Sequence, residues 1–365
     1  MKSDEQNFIE IKGVSKHFGD VVAVDNVDLA IKKGELFSIL GASGSGKTTL
    51  LRILAGLEIP SQGNILIDGV DMTSVAPYDR PVNIMFQNYA LFPHMSVFEN
   101  IAYGLKKEGL QKESVQEKVQ KMLSLVKLEG YENRKPNQLS GGQSQRVALA
   151  RSLVKEPKVL LLDEPMAALD KKLRQSTQFE LMDIHYELGI TFVIVTHDQE
   201  EAMTLSDRIA IMEQGQFVQI GSPNLIYENP RSKFVADFLG NINLLEATIT
   251  EQNDKEIVVD CSALGSELKF DQTELTDTPE LTVALRPEKV MIERNIPTND
   301  DQSYIKGIVE DFGYFGNLSI YRVKTESGHV IQVSKQNRDR VEQSIKWEDE
   351  VYLSWENDSL MLLGE

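Results

Sequence analysis

The chain is poor in cysteine: one, Cys261, in 365 residues. A lone thiol has no partner for an internal disulfide and cannot build a metal cluster, which fits a reducing compartment. Long apolar runs are missing as well. The richest, Val159 to Leu162 and Phe192 to Val195, have the length of strands, against the roughly 20 residues that a membrane-crossing helix needs. The opening Met1-Lys2-Ser3-Asp4-Glu5 lacks the apolar stretch of a secretory signal. Positive charge is scarce too: 38 Lys and Arg stand against 56 Asp and Glu, a net charge of −18. That balance argues against a nucleic-acid partner, because gripping phosphates takes clustered cations. The deficit is uneven, since residues 241–365 hold 25 acids and 12 bases, a net of −13, and the first 240 only −5.

With 41% hydrophobic and 26% charged residues, neither disorder nor a collagen-like repeat is expected, and the length suits two or three domains. The first 240 residues alternate strand-like and helix-like patterns. Glu35 to Leu40 reads as a strand entering a glycine-rich turn, followed by a helical stretch from Thr48 to Leu57. Val115, Val119, Met122 and Val126 fall at helical spacing within Ser114 to Leu128. The unbroken apolar runs are those of parallel strands covered on both faces. Residues 1–240 are therefore expected to form one layered α/β domain. Beyond 240 the pattern turns to short β-rich runs: 257–259, 281–285, 304–309, 319–323, 330–333 and 351–355. Hairpin turns are expected at Glu326-Ser327-Gly328 and Asn357-Asp358, and a short helix, Phe234 to Leu239, as a tether. Residues 241–365 read as an all-β domain.

Three motifs carry chemistry. Gly41-Ala42-Ser43-Gly44-Ser45-Gly46-Lys47-Thr48, continued by Thr49, fits the phosphate-loop pattern G-x-x-x-x-G-K-[ST]. Its glycines let backbone N–H groups converge on phosphate oxygens, Lys47 adds a point charge, and the Thr48 hydroxyl suits Mg²⁺. Val159 to Leu162 ends in Asp163 and Glu164, one carboxylate for the metal and one to polarise a water; two acids at a strand end are otherwise the start of a solvated loop. Leu139-Ser140-Gly141-Gly142-Gln143 precedes a helix expected over Ser144 to Val154, so its donors cluster at a helix start; alone, Ser-Gly-Gly is an ordinary loop.

In this order and company the motifs resemble those of the ABC-type ATPases, and the resemblance runs along essentially the whole chain. It implies a P-loop, RecA-like α/β domain with a helical subdomain at about 88–155, and a C-terminal OB-like domain of the TOBE type. It also implies ATP and Mg²⁺ as cofactors. Phe18 matches the aromatic that stacks on adenine, Gln87 the glutamine joining the metal site to the transporter, Ala168-Leu169-Asp170 the D-loop and His197 the switch histidine at the γ-phosphate. Taken singly, Phe18 reads as a core residue, His197 as a strand-end histidine and Gln87 as a surface group. Together they imply Glu164, His197 and Lys47 as the catalytic set and Thr48, Gln87 and Asp163 at the metal. They also imply a head-to-tail homodimer, with ATP between the phosphate loop of one copy and Ser140, Gly141, Gly142 and Gln143 of the other. Ser144 stands where relatives often have glutamine, and Met166-Ala167 where many have Leu-Ser; neither is a phosphate, metal or water ligand.

Residues 88–100 resemble the importer segment that lines the groove for a membrane subunit's coupling helix. The runs Pro77 to Gln87, Asp163 to Arg174, Ala284 to Lys289, and Trp347 to Val351 with Trp355-Glu356 resemble the putrescine-importer ATPases of proteobacteria. The expected protein is the ATPase of a polyamine importer, with putrescine the preferred solute, at the cytoplasmic face of the inner membrane. Its expected partners are two membrane-spanning permease subunits and, indirectly, a solute-binding protein. An importer for another solute, such as iron or a sugar, or a mainly regulatory ATP-binding protein, is the alternative.

Overall fold

In the computed structural model three strands, Leu36–Leu40, Val159–Asp163 and Thr191–Thr196, are buried along their whole length. That is the property expected of parallel strands sandwiched between two layers. The structure describes residues 7–167, 169–253, 256–271, 280–297, 303–338 and 345–364, so Ala168 of the expected D-loop lies outside the described residues. Two compact units divide at 224/225.

In chain order the first unit contains β1 (Asn7–Phe18), β2 (Val21–Lys32), β3 (Leu36–Leu40), α1 (Lys47–Leu54), β4 (Gln62–Ile67), β5 (Val70–Asp71), β6 (Val82–Met85), α2 (Val97–Lys107), α3 (Lys112–Leu125), α4 (Gly141–Leu153), β7 (Val159–Asp163), α5 (Lys171–Leu188), β8 (Thr191–Thr196), α6 (Gln199–Leu205), β9 (Arg208–Glu213) and β10 (Gln216–Gly221). A six-stranded sheet runs β10-β9-β3-β8-β7-β6, parallel except for β10 against β9. Alternate side chains of one strand enter opposite cores. Phe192 and Ile194 join the cluster of α2, α3 and α4, with Ile101, Val119 and Val147. Val193 and Val195 join the cluster under α1, with Leu50 and Ile53. The second cluster is closed by an antiparallel sheet, β2-β1-β4-β5, that the sequence reading did not foresee.

The second unit holds α7 (Pro223–Glu228), which begins at the boundary, α8 (Lys233–Phe238), β11 (Asn243–Gln252), β12 (Glu256–Cys261), β13 (Ser266–Asp271), β14 (Glu280–Leu285), β15 (Met291–Glu293), β16 (Ser303–Tyr314), β17 (Leu318–Thr325), β18 (Val330–Gln336), β19 (Glu350–Trp355) and β20 (Leu360–Leu363). Two five-stranded antiparallel sheets, β13-β12-β11-β14-β20 and β15-β19-β16-β17-β18, share one core around Trp355, Val283 and Val323. This is the all-β, OB-like domain expected.

Two expectations change. Asn357-Asp358 is not a hairpin turn: β19 pairs with β15 and β16, whereas β20 pairs with β14, so the short turn at 357–359 carries the chain from one sheet to the other. Residues 225–240, grouped above with the first domain, make their contacts inside the second unit. The fully buried Arg286 ties them there, donating to the carbonyls of Tyr227, Ala236 and Gly240. The turn at 326–328 does join the antiparallel β17 and β18, with Gly328 at φ 86°.

Candidate nucleotide site

The C-terminal ends of β3, β6, β7 and β8 lie side by side in the sheet, with Leu40 paired to Thr196, Met85 to Leu162 and Asp163 to Val195. Loops leaving these ends are therefore neighbours, the place where open α/β sheets bind ligands. The phosphate loop leaves β3. A Cβ on Gly41 would stand 2.3 Å from the Met212 carbonyl, and one on Gly46, at φ 107°, 2.3 Å from that of Ala23, so glycine is required at both. Helix α1 starts at Lys47 with no side-chain cap on its free N–H groups. That start suits an anion. Lys47, 5% exposed, donates its Nζ to the carbonyls of Gly41 at 2.9 Å and Ala42 at 2.8 Å. Burial lowers its pKa, and the nearby Glu164 and Asp163 oppose that shift.

Asp163 closes β7 and accepts from the Thr48 hydroxyl at 3.2 Å. Burial raises its pKa, while the Thr48 bond lowers it. Among the described residues no group of three or more His, Cys, Asp or Glu could form a metal cage. Two hard oxygen donors beside a phosphate loop are what Mg²⁺ needs, since that ion completes its octahedron with water and substrate phosphate. The residues fit the cofactor.

Glu164 adopts φ 45°, a left-handed conformation rare outside glycine, and its N–H donates to the Val195 carbonyl at 2.8 Å. Both carboxylate oxygens are engaged. Gln87 Nε2 donates to Oε2 at 2.6 Å, and His197 Nδ1 lies 3.0 Å from Oε1. Residues 77, 110 and 33 positions apart in sequence (87 to 164, 87 to 197, 164 to 197) thus meet at one carboxylate. Gln87 is brought to Glu164 rather than to Thr48 or Asp163.

The other expected residues stand further out. Ser43 and Gly44 are exposed at the loop's crest, Ser45 is buried beneath it, and Thr49 is half-buried in α1. Phe18 is 47% exposed at the β1–β2 turn, with the Lys16 ammonium 4.8 Å from its ring centre. Asp170 caps α5, accepting from the Leu173 N–H. Helix α4 begins at Gly141, three residues before the expected start, because Ser140 and Gln143 cap it reciprocally at 3.3 and 3.0 Å. Ser140 and Gly141 are exposed. The capping bonds and one from Gln143 to Tyr131 are local, and none reaches the chain's own phosphate loop. Two residues escaped the motif reading. Arg174 pairs with Asp198 and donates to the Leu169 carbonyl, joining the segment before Asp170 to the one after His197. Glu201 lies buried behind them. An arginine four places after a helix-capping aspartate was the available signal for the first; the second had none.

Strand, glycine-rich loop and helix, with the acid of the next parallel strand but one on the loop's threonine, define a nucleoside triphosphatase of the phosphate-loop class. Comparison with known proteins narrows the class. The family model for ABC transporters matches residues 24–167, and that for the TOBE domain residues 283–363. The chain is 51% identical over 357 residues to the putrescine transport ATP-binding protein PotG of Escherichia coli, covering 97% of this chain and 94% of that protein. It is 46% identical to the spermidine/putrescine import ATP-binding protein PotA of Thermotoga maritima, covering 97% of each. Among solved structures, the ATP-binding cassette MJ0796, a dimer with ADP and Pi, is 34% identical over 59% of this chain and 98% of its own, at a TM-score of 0.53. The chain belongs to the ATP-binding proteins of the ABC transporters. It is an ATPase that uses ATP with Mg²⁺.

Proposed function

We propose that this chain powers an importer for polyamines, putrescine foremost, working as a pair of copies under two membrane-spanning subunits that a solute-binding protein supplies. The observation that carries the reading is the 51% identity to a putrescine transport protein, sustained across 97% of the chain and so through both units. No helix among the described residues is long and apolar enough to cross a membrane. That agrees with a peripheral place on the cytoplasmic face of the inner membrane. The test is uptake of labelled putrescine by cells with and without this chain. Loss of uptake on its removal, with unlabelled spermidine competing more weakly than putrescine, is the expected result. Unchanged uptake would exclude the reading, and uptake of iron or a sugar lost instead would favour the other importers.

In the chemistry, Lys47 and the N–H groups of Gly44, Gly46 and Thr48 hold the β- and γ-phosphates, and Phe18 offers its open ring to the adenine. Thr48 and Asp163, joined by Gln87 when it leaves Glu164, would hold Mg²⁺. When bound, such an ion would supply positive charge that offsets the charge building up on the transferred group. Glu164 accepts the proton of the attacking water as the new P–O bond forms and the bridging P–O bond to ADP breaks. His197, 54% exposed at its side chain, turns toward the γ-phosphate. Gln87 and His197 each engage one oxygen of Glu164, which orients the carboxylate and leaves each oxygen a second lone pair for the water's proton.

With Ser140 and Gly141 exposed and no bond of the turn reaching the chain's own loop, Ser140, Gly141, Gly142 and Gln143 fit the nucleotide of a second copy. The dimer reported for MJ0796 supports that arrangement. Asp170, capping α5 beside this site, then sits at the join between copies.

A further inference from the structure

The turn after Gln87 runs against its own backbone preference. Tyr89 and Ala90 both lie at positive φ, 60° and 45°, a region that residues other than glycine, asparagine and aspartate seldom enter. Local bonds close the turn, from the Tyr89 N–H to the Phe86 carbonyl at 2.8 Å and from the Ala90 N–H to the Asn88 carbonyl at 2.7 Å. One side chain then takes both outward carbonyls. Arg151, in the last turn of α4, donates Nη2 to the Tyr89 carbonyl at 2.7 Å and Nη1 to that of Ala90 at 2.8 Å. A planar guanidinium meets two adjacent carbonyls through two separate nitrogens in a rigid fork, whereas an ammonium has its donors on one nitrogen and sets no such plane. Its plane also lies 5.4 Å from the Phe92 ring centre.

The turn is tied to the catalytic loop as well. Tyr89, 7% exposed, donates its hydroxyl to the carbonyl of Pro165, the residue after Glu164, at 3.4 Å. Further along, Asn100 of α2 accepts from the Phe92 N–H and donates to the carbonyls of Phe92 and Ser96. The segment between Gln87 and α2 is thus gripped at two points, and the grip nearer Gln87 comes from α4. That helix has 13 residues, so it spans about 20 Å. Its other end is the Ser140 to Gln143 turn.

We propose that Arg151 is a positioning residue for ATP hydrolysis. It latches the turn after Gln87 to α4, so that the place of this helix decides whether Gln87 holds Glu164. The inference rests on Glu164 as the base. It makes one rigid helix answer to two sites: nucleotide of a second copy meets the N-terminal turn, and the C-terminal turn passes the displacement through Tyr89 and Ala90 to Gln87. The strained backbone at 89 and 90 gives the turn a second, relaxed state once the guanidinium is withdrawn.

The test uses the full chain in steady-state hydrolysis with Mg²⁺ and ATP. It compares Arg151→Gln, Gln87→Ala and the double variant, with thermal unfolding recorded for each. Arg151→Gln is expected to lower kcat about 10-fold, through misplacement of a group it does not itself carry. KM for ATP should stay within about twofold, since the phosphate loop is untouched. The double variant should be no slower than Gln87→Ala alone, because Arg151 acts only through that segment. Single effects that multiply in the double variant would overturn the latch, as would an unchanged kcat in Arg151→Gln, or KM rising in step with the fall in kcat. Arg151→Lys retains the charge but gathers its donors on one nitrogen, without the fixed fork, and is expected to fall between. Combined with Gln87→Ala it reads the same cycle should the glutamine variant not fold. Failure of Glu164 as the base shows separately, as wild-type turnover by Glu164→Gln.

Discussion

Two glutamates distinguish the residue scale, one oriented by two neighbours and one whose pKa burial raises to about 7. Glu164 keeps its place through a left-handed backbone and bonds to Gln87 and His197. Glu164→Gln retains the shape and removes the proton acceptor. It should bind ATP normally while turnover falls by about 100-fold or more, the usual worth of a positioned base; single-turnover hydrolysis with a parallel binding titration checks this. Glu201, 2% exposed, accepts from the Thr196 hydroxyl at 2.7 Å. Burial pushes its pKa up to about 7, with Asp198 adding to the rise and Arg174 opposing it. The unfolded chain releases this proton near the ordinary value of 4.5. Below that value both states are protonated and nothing is lost. Between it and about 7 the folded chain keeps a proton that the unfolded chain has given up, so stability falls as pH rises, by on the order of 3 kcal/mol once complete. Glu201→Gln should therefore raise the melting midpoint at pH 8 and leave it nearly unchanged at pH 4.5. An equal gap at both values would mean that another group titrates. Nothing in the order of residues announced Glu201, since its environment is made by α6 folding back on β8.

Among elements, the corner after β14 repays attention. Arg286 donates to carbonyls on α7, α8 and the turn after α8, and lies 4.1 Å from the Tyr227 ring centre. Tyr227 donates to Glu288, and its pKa is pushed up to about 12, by burial first and Glu288 second. Lys289 pairs with Glu228. Three residues of the run Ala284 to Lys289 thus hold the two short helices, a structural reason for a run that otherwise stood out only by resemblance. Arg286→Met leaves several buried carbonyls unpaired and should cost on the order of 3 kcal/mol, read as a lower urea midpoint. A midpoint unchanged within error would mean that the helices are held by their apolar contacts instead. Element boundaries followed the same division between local and distant causes. Strands β3, β7 and β8 came out nearly as read, because an unbroken apolar run announces its own burial. The start of α4 did not, because two glycines disfavour a helix locally and the Ser140–Gln143 cap outweighs them.

At the scale of the molecule, two units with separate cores imply two unfolding transitions by calorimetry. Mg²⁺ and ATP at 100 times their dissociation constant should raise only the transition of residues 1–224, by about 2.7 kcal/mol. Arg286→Met should lower only the other. A single transition moved by both would show the units to be thermodynamically one. Charge had already marked a change of character near residue 240, but the contacts put the division at 224/225, where packing rather than composition changes hands. Reading residues in order sufficed for the phosphate loop, the acids ending β7, the Ser140 to Gln143 motif though not its cap, and the family, because each is a short run whose chemistry lies within the run. The contacts of Gln87 and His197 on Glu164, the grip of Arg151 on the turn at 89 and 90, the burial of Glu201 and the sheet exchange at 357–359 all depend on the tertiary fold. Those relations exist only once the sheet has set its strand ends side by side, since hydrogen bonds and desolvation act over a few ångströms and are blind to position along the chain.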